Sequence, residues 1–557
     1  MTNNALDTRI ISSLIKVFAD EPLQAPAFST ASALQGESFH FQLAYHGYEL
    51  MKHAVVKVQG GVAEAISVQK VELVPSELPI YAHHDNNLVR SAPGLYPDLL
   101  TPIHEQDGIV ICPGQWRSLW ISLEVDVRWT EGEHPITVSI ASESGELLGE
   151  ETFTLVVIPT ALPKQQLMHT EWFHCDGIAT YYGVDIFSEA HWDLIRKFVR
   201  TAVQHGINMI LTPLFTPPLD TEVGGERPTV QLVDVTKEGE RYSFGFERLD
   251  RWVRMCLDEG VEYFEMSHLF SQWGAKHAPK IIASVDGEEQ RIFGWETDAA
   301  GPEYRAFLRQ FLTELVTWLK AHRIADRSHF HISDEPRLEQ MESYRQAVEA
   351  VSDLLAKFPV MDALSDYDFY RSGLVQVPVP ANNHVEPFIE HGVKPLWTYY
   401  CCSQYREVSN RFFCMPSARN RILGWQLYKF QVNGFLHWGY NFYYSQYSRK
   451  RIDPFRTTDA LYAFPSGDAF LVYPGEEGPL ESIRLDVLLE ALQDLRALQL
   501  LESYIGHEAV IALIEDDMEE ALTFRSYPHS AEWLLNKRAL VNERIREAVC
   551  GTSSLGT

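Results

Sequence analysis

Two carboxylic acids, Asp334 and Glu335, lie side by side directly after a short apolar run at 330–333. In chains that alternate strands and helices, the carboxyl ends of the strands face the side that carries the active site. Adjacent like charges disfavour two ionised carboxylates, so we expect one of the two to hold a proton. The pair therefore suits chemistry that needs one acid and one carboxylate. The same residues also suit an ordinary helix start, since Asp caps helices and Pro336 would occupy the first turn.

An alternating pattern of strands and helices surrounds this pair from about residue 163 to 505. Apolar runs predict eight strands, and segments with apolar residues at three- and four-residue spacing predict helices between them. Eight such units predict an α/β fold of the TIM-type (β/α)8 barrel class. The predicted strands begin near residues 168, 209, 263, 330, 360, 377, 395 and 435, and the clearest helices cover 190–204, 246–258, 303–322, 338–357 and 484–501.

We place the barrel at residues 163–505. The segments before and after it have different patterns of apolar residues. Residues 1–162 contain short runs of alternating apolar and polar residues separated by turns, and they predict an N-terminal β-sandwich domain. Residues 506–557 contain one strand-like apolar run at 509–514 and a helical stretch at about 534–549. We expect this C-terminal segment to be a cap on the barrel.

The composition limits the class of function. The chain has 557 residues and a net charge of −29, which disfavours nucleic acid as a partner. No apolar run is long enough to span a membrane, and residues 1–7 lack the basic and apolar stretches of a secretion signal. The seven cysteines include no CxxC pair, which suits a reducing compartment. We therefore expect a cytoplasmic protein with no nucleic-acid or membrane partner.

Motifs for metals and cofactors are missing from the sequence. His169, His174, His268 and His277 do not have the spacing of an HExxH site. The sequence contains no GxGxxG, Walker or GxSxG motif, so nucleotide binding and serine hydrolysis have no support. We expect no metal and no cofactor.

Many barrel glycosidases use an acid after the fourth strand and a carboxylate nucleophile after the seventh. The predicted seventh strand is followed by no carboxylate before Glu407. A sugar with a 2-acetamido group can supply the nucleophile itself, because its carbonyl oxygen can attack the anomeric carbon and form an oxazolinium ion. One acid would then accept the amide N–H while the other protonates the leaving oxygen. Asp334 and Glu335 suit this division of labour.

The string from His331 to Pro336, His-Ile-Ser-Asp-Glu-Pro, resembles the Asp-Glu motif of glycoside hydrolase family 123. The resemblance extends over about 168–505, and the N-terminal sandwich also fits that family. It implies a retaining exo-acting β-N-acetylgalactosaminidase that uses substrate-assisted catalysis, with Asp334 positioning the acetamido group and Glu335 as the acid/base. Later blocks that add to the resemblance are 437–441 (HWGYN), 453–454 (DP), 467–475 (GDAFLVYPG), 478–479 (GP) and 482–484 (SIR).

The implied partner is a small glycoside or oligosaccharide with a terminal 2-acetamido sugar. Residues near the ends of the predicted strands are candidates for contacts with that sugar, and a tyrosine hydroxyl could aim the acetamido group. Packing inside a barrel is an equally good explanation for the aromatic residues among them. The candidates are Tyr367, Trp397, Tyr399, Trp438, Tyr440 and Asn441.

Two other functions remain open at this point. The chain could be another β-glycosidase, of the β-N-acetylglucosaminidase or β-galactosidase type. In a β-galactosidase an acid such as Glu171 or Glu265 would be the nucleophile, since the sugar has no acetamido group. The chain could also be a non-catalytic sugar-binding protein, which would bind sugar without turnover.

Overall fold

The computed structural model of the protein describes residues 6–104 and 106–553, with side chains up to residue 550. Residues 1–5, which contribute to the expectation that no secretion signal is present, lie outside this part. Within the described residues, none of the helices combines the length and the apolar character that crossing a membrane requires.

The described N-terminal residues form ten strands, which are β1 (Leu6–Ser12), β2 (Thr30–Gln35), β3 (Ser38–Gly47), β4 (Met51–Gln59), β5 (Ile66–Ser76), β6 (Gly94–Pro102), β7 (Ile109–Ile111), β8 (Trp116–Glu124), β9 (Gly132–Ala141) and β10 (Leu147–Ala161). They pair into two sheets, in the orders β1-β3-β8-β5-β6 and β2-β10-β9-β4-β7. Side chains of both sheets, including Phe41, Ile121, Val138 and Phe153, meet in one apolar cluster. This arrangement agrees roughly with the predicted sandwich.

The following strands in the described chain are β11 (Met168–Glu171), β12 (Met209–Thr212), β13 (Asp234–Glu238), β14 (Arg241–Gly245), β15 (Tyr263–Met266), β16 (Ile281–Val285), β17 (Glu288–Phe293), β18 (Ser328–Phe330), β19 (Met361–Ala363), β20 (Val377–Val379), β21 (Trp397–Tyr399), β22 (Gly434–His437), β23 (Tyr473–Pro474) and β24 (Pro479–Leu480). A parallel sheet has the order β18-β15-β12-β11-β22-β21, and β19 and β20 form a parallel pair. A small sheet with the order β14-β13-β16-β17 is built from the loops that follow β12 and β15.

The described α-helices are α1 (Cys175–Tyr182), α2 (Glu189–Gln204), α3 (Glu247–Glu259), α4 (Pro302–Ala321), α5 (Met341–Leu355), α6 (Tyr367–Arg371), α7 (Glu386–Glu390), α8 (Ser417–Arg421), α9 (Leu423–Lys429), α10 (Ile483–Ile505), α11 (His507–Glu515) and α12 (Ala531–Ser553). The five helices predicted most clearly correspond to α2, α3, α4, α5 and α10, so those predictions are confirmed. Apolar residues of these helices lie in the main buried cluster, and α10 is buried on all sides, mostly by other helices.

The eight predicted strands of the α/β part are present in the predicted order, but they are not one continuous hydrogen-bonded sheet. The pair β19–β20 is joined to its neighbours by single bridges, from Phe330 to Val360 and from Ala381 to Tyr399. Pro378 and Pro380 contribute to the interruption next to β21, because proline has no N–H to donate to a ladder. The structure is mixed α/β with a parallel sheet, and it matches the predicted full barrel in part.

The C-terminal segment differs from the prediction. The strand-like run at 509–514 is part of helix α11, where Val510 and Ile514 are buried on one face, four residues apart. Helix α12 packs on α10 and on the N-terminal sheet, where the Asn542 side chain donates to the Ser32 carbonyl at 3.0 Å. The segment thus joins the N-terminal sheets to the α/β part. The boundaries at 162 and 505 stay a prediction.

Candidate active site

The acid pair follows β18 on a segment that is held by the loop after β15. Along this segment the backbone N–H groups of Leu269, Phe270 and Trp273 donate to the carbonyls of residues 331, 332 and 334, at 3.0–3.2 Å. The Ser333 hydroxyl donates to the Ser271 carbonyl at 2.7 Å. The pair is therefore fixed at the carboxyl end of the parallel sheet, as the sequence predicted.

The pair is not a helix start. Glu335 has a φ of 44°, in the left-handed region, and helix α5 begins only at Met341. A non-glycine residue in this region costs on the order of 1–3 kcal/mol, so the surrounding structure must hold it there. The turn brings the side chains of Asp334 and Glu335 to the same cavity. Other cavity residues with a left-handed backbone are Asp220, Trp273 and Tyr447.

The cavity has a volume of about 170 Å³ and opens to solvent. Aromatic rings form much of its wall, as is common for sites that bind the faces of sugars. Its lining residues are Trp172, Leu219, Asp220, Gln272, Trp273, Asp334, Glu335, Ala363, Tyr399, Cys401, Cys402, Ser403, Leu436, Trp438, Gln446, Tyr447 and Phe464.

Asp334 is the more deeply buried acid of the pair, with 5% of its surface exposed. Burial raises the pKa of Asp334 well above its usual range, and the charge of Glu335 raises it further. The Gln272 amide opposes this effect, since its Nε2 donates to Asp334 Oδ2 at 2.7 Å. Burial therefore favours the protonated form of Asp334 in the free protein.

Glu335 is partly buried and is held by a tyrosine. The Tyr399 hydroxyl donates to Glu335 Oε1 at 2.7 Å. Burial raises the pKa of the Tyr399 phenol well above its usual range, so this hydroxyl remains a neutral donor. With Oε1 occupied in this way, Oε2 is left to exchange a proton with a bound molecule.

The Tyr399→Phe variant tests this contact. Loss of this hydrogen bond frees the Glu335 side chain, and we expect kcat to fall by roughly ten- to a hundred-fold while KM changes less. Tyr367→Phe is the matched control, because Tyr367 lies outside the cavity, stacked on His391. Steady-state kinetics on a chromogenic glycoside measures both. Equal losses in the two variants would contradict the role given to Tyr399.

A buried histidine lies under the acid pair. His331 Nε2 is 2.6 Å from Glu265 Oε1, and its Nδ1 is 3.3 Å from Asp362 Oδ1. Burial alone would lower its pKa, but the hydrogen bonds to Asp362 and Glu265 raise the pKa of His331 to about 10. Asp362 also accepts from the Ser333 N–H at 3.2 Å, which connects this ion pair to the segment that carries the acids.

The His331→Ala variant is expected to lose about 3–5 kcal/mol of unfolding free energy, because it leaves two buried carboxylates without their cation. The pKa of His331 is raised on folding, so the stabilisation is fully present below the unfolded value of about 6.5 and is lost as pH rises through about 10. Denaturant titrations at several pH values measure this. His329→Ala is the control, since His329 is buried but its pKa is lowered to about 4, and a comparable loss there would contradict the ion-pair account.

The two acids considered as alternative nucleophiles do not line the cavity. Glu171 is fully buried, and Arg411 binds both of its oxygens, at 2.6 and 2.7 Å. Glu265 is also fully buried and accepts from the Trp172 indole at 2.8 Å as well as from His331. Both carboxylates are therefore committed to contacts inside the protein.

The predicted sugar contacts divide into two groups. Tyr399 and Trp438 line the cavity, and the Trp438 indole is fixed by a hydrogen bond to Asp468 at 3.0 Å. The other four lie elsewhere: Trp397 is buried inside the sheet, the Tyr440 hydroxyl donates to the Phe198 carbonyl, Asn441 accepts from the His174 N–H, and Tyr367 packs on Phe388 and His391. These contacts account for the four residues without a sugar.

Several cavity residues were missed by sequence reasoning. Asp220, Gln272, Trp273 and Tyr447 lie on long loops that follow β12, β15 and β22. These four residues lie far from the strand ends in the sequence. Their positions could not be predicted, because contacts between loops determine where loop residues lie. The only signal in the sequence is that these loops follow carboxyl ends of strands on the same side as the acid pair.

One group of side chains among the described residues has the geometry to hold a metal ion. It comprises His205, Glu481 and Asp486 and lies outside the cavity. His205 Nε2 is 3.0 Å from Asp486 Oδ1, and its Nδ1 is 2.7 Å from the Thr201 carbonyl. Both ring nitrogens are thus satisfied by hydrogen bonds, which makes this group an internal ion pair.

Comparison with solved structures shows the fold. A family 123 glycoside hydrolase from Clostridium perfringens, studied for the details of glycolipid glycan hydrolysis, aligns with a TM-score of 0.72 at 15% identity over 99% of both chains. A β-glucuronidase from Bifidobacterium dentium (TM-score 0.33, 11% identity, 88% of this chain and 67% of that one) and an endo-β-1,4-mannanase from Thermotoga petrophila (0.33, 12%, 60% and 77%) are too distant to support an argument.

Comparison with sequences agrees with this result. No curated protein matches the chain. The sequence model described as "Glycoside hydrolase 123, catalytic domain" matches residues 172–501, which is more than half of the chain and includes Asp334 and Glu335. The resemblance noted in the sequence is confirmed, and the chain belongs to glycoside hydrolase family 123.

Proposed function

We propose that this glycosidase removes terminal β-N-acetylgalactosamine from small glycosides or oligosaccharides, with retention of configuration and through an oxazolinium ion intermediate. One observation carries the proposal. Asp334 and Glu335 open side by side on one aromatic cavity, whereas Glu171 and Glu265 are bound beneath it and cannot reach a substrate. A neighbouring acetamido group is then the nucleophile that best fits the site.

In the proposed reaction the sugar lies in the cavity with its acetamido N–H donating to Asp334. The amide oxygen attacks the anomeric carbon, the bond to the leaving oxygen breaks, and Glu335 delivers a proton to that oxygen. The oxazolinium ion carries positive charge beside Asp334, which is ionised at this stage. Water then attacks the anomeric carbon from the side of the departed group, Glu335 takes its proton, and the acetamido group is restored with retained configuration.

Substrate binding must also move the proton of the pair. Burial favours a protonated Asp334 in the free protein, but the substrate amide N–H needs an ionised acceptor there. Donation from that N–H stabilises the Asp334 carboxylate, and the proton passes to Glu335, one residue away. The Tyr399 hydroxyl holds Oε1 during this exchange, so that Oε2 receives the proton that is later delivered.

The proposal also covers the preferred sugar and the cellular location. The preference for GalNAc follows the family resemblance, and the related hydrolase from Clostridium perfringens has been studied on glycolipid glycans. A cytoplasmic location would favour short imported glycosides.

We also propose that the single bridges on either side of β19–β20 close the parallel strands into a (β/α)8 barrel.

A panel of nitrophenyl glycosides tests the proposal. We expect turnover of β-GalNAc, no turnover of β-galactoside, and competitive inhibition by the GalNAc-derived thiazoline, a stable mimic of the oxazoline. Turnover of β-galactoside without turnover of β-GalNAc would contradict substrate assistance. Tight sugar binding without any turnover would indicate a binding protein.

A further inference from the structure

A third carboxyl group, that of Asp220, lines the cavity and has no role in the reaction described above. It lies on the loop after β12, with a left-handed backbone at φ 36°. Its N–H donates to Gln272 Oε1 at 2.5 Å, and its Oδ2 accepts from the Tyr447 N–H at 2.9 Å. Two contacts from two other loops therefore fix this residue at the cavity wall.

The second oxygen of this carboxylate is free for a ligand. Among the described residues, Asp220 Oδ1 accepts no hydrogen bond, and the other carboxylate oxygen accepts from the Tyr447 N–H. Asp220 is only partly buried and lines the cavity, so a hydrogen-bond donor on a bound molecule can reach this oxygen. Burial raises the pKa of Asp220 to about 6, so the group is mainly ionised at neutral pH and accepts hydrogen bonds from hydroxyl groups.

The Gln272 side chain forms hydrogen bonds with both Asp220 and Asp334 of the acid pair. Its Nε2 donates to Asp334 and its Oε1 accepts from the Asp220 N–H, so one amide side chain separates the two residues. The order along the wall is Asp334, Gln272, Asp220. The order around the ring of a 2-acetamido sugar is N2, O3, O4. If N2 donates to Asp334, the next positions on the ring face Asp220.

We propose that Asp220 accepts hydrogen bonds from the O3 and O4 hydroxyls of the sugar whose glycosidic bond is broken. This inference rests on the proposed function, which supplies the position of N2. The configuration at O4 distinguishes GalNAc from GlcNAc, so Asp220 is a specificity-determining residue. A site built around a hydroxyl rejects substrates that lack it, because its buried acceptor is left unpaired.

The experiment compares the wild type with Asp220→Asn on nitrophenyl β-GalNAc and on its 3-deoxy, 4-deoxy and 6-deoxy analogues. Asn tolerates the left-handed backbone and can still accept from the Tyr447 N–H, so the fold is kept. We expect the variant to lose about ten- to a hundred-fold in kcat/KM on GalNAc and on the 6-deoxy analogue. On the 3-deoxy and 4-deoxy analogues the loss should be smaller, since one of the two contacts is already missing. Glu222→Gln is the control, because Glu222 is exposed and pairs with Arg449.

One result would overturn the inference while leaving the proposed function in place. It is an equal loss on all four substrates, which would show that Asp220 does not contact O3 or O4. A loss on every substrate as large as that of Glu335→Gln, with a covalent sugar trapped on Asp220 in the wild type, would make Asp220 a nucleophile and would overturn the substrate-assisted mechanism as well. If the wild type turns over no 2-acetamido glycoside, the proposed function itself fails and the inference fails with it.

Discussion

Replacing Glu335 by Gln is expected to lower kcat/KM for aryl β-GalNAc by about a hundred- to ten-thousand-fold. Gln keeps the size of the side chain and can still accept from the Tyr399 hydroxyl, but it has no proton to deliver to the leaving oxygen. The loss should depend on the leaving group. Dinitrophenol leaves without much protonation, so its glycoside should be affected least, and an alkyl glycoside should be affected most.

The matched control is Glu339→Gln. Glu339 is exposed on the segment that follows the acid pair and does not line the cavity. Its replacement should leave kcat/KM unchanged for every leaving group. A Glu335→Gln enzyme that retained full activity on an alkyl glycoside would remove Glu335 from the role of general acid.

Replacing Asp334 by Asn should abolish most activity and at the same time stabilise the protein. Activity falls because the neutral amide cannot balance the positive charge of the oxazolinium ion. The free energy of unfolding rises by about 1 kcal/mol, because the variant lacks the buried carboxyl group whose ionised form is unfavourable in the folded protein. The oxygen of Asn can still accept from the Gln272 amide, so Gln272 keeps its partner.

The sign of the stability effect depends on pH. Folding raises the pKa of Asp334, so its contribution is fully favourable below the unfolded value of about 3.9 and is lost as pH rises through the folded value. The gain from Asn should thus be near zero at pH 3.5 and grow towards neutral pH, as measured by denaturant unfolding. Asp326→Asn, at an exposed position, is the control and should show no such trend. A destabilised Asp334→Asn variant at neutral pH would contradict the burial argument.

Much of the fold follows from local patterns in the sequence. The helices α2 and α4 could be predicted because their apolar residues repeat at helical spacing, and that face must be buried wherever the helix packs. The run at 509–514 was misread because its Val and Ile residues also suit a strand. Its length and the burial of only Val510 and Ile514 show a helix that lies on the surface of α10.

The position of the acid pair could also be predicted, because Asp334 and Glu335 are adjacent in the sequence and follow a strand directly. The remainder of the cavity could not. Asp220 and Gln272 meet Asp334 only because loops after three different strands fold over the same end of the sheet. Conversely, Trp397 and Tyr440 have the residue types expected of a sugar site, yet they point into packed protein. Residue type alone does not say which side of a strand end faces the cavity.

The central claim is that the sugar's own acetamido oxygen attacks the anomeric carbon. The most direct test is the rate for nitrophenyl β-GalNAc substrates whose N-acetyl group carries zero, one, two or three fluorine atoms. Fluorine withdraws electrons from the amide oxygen, so the account predicts that kcat falls with each fluorine added. A kcat that does not change across the series would show that the amide oxygen is not the nucleophile.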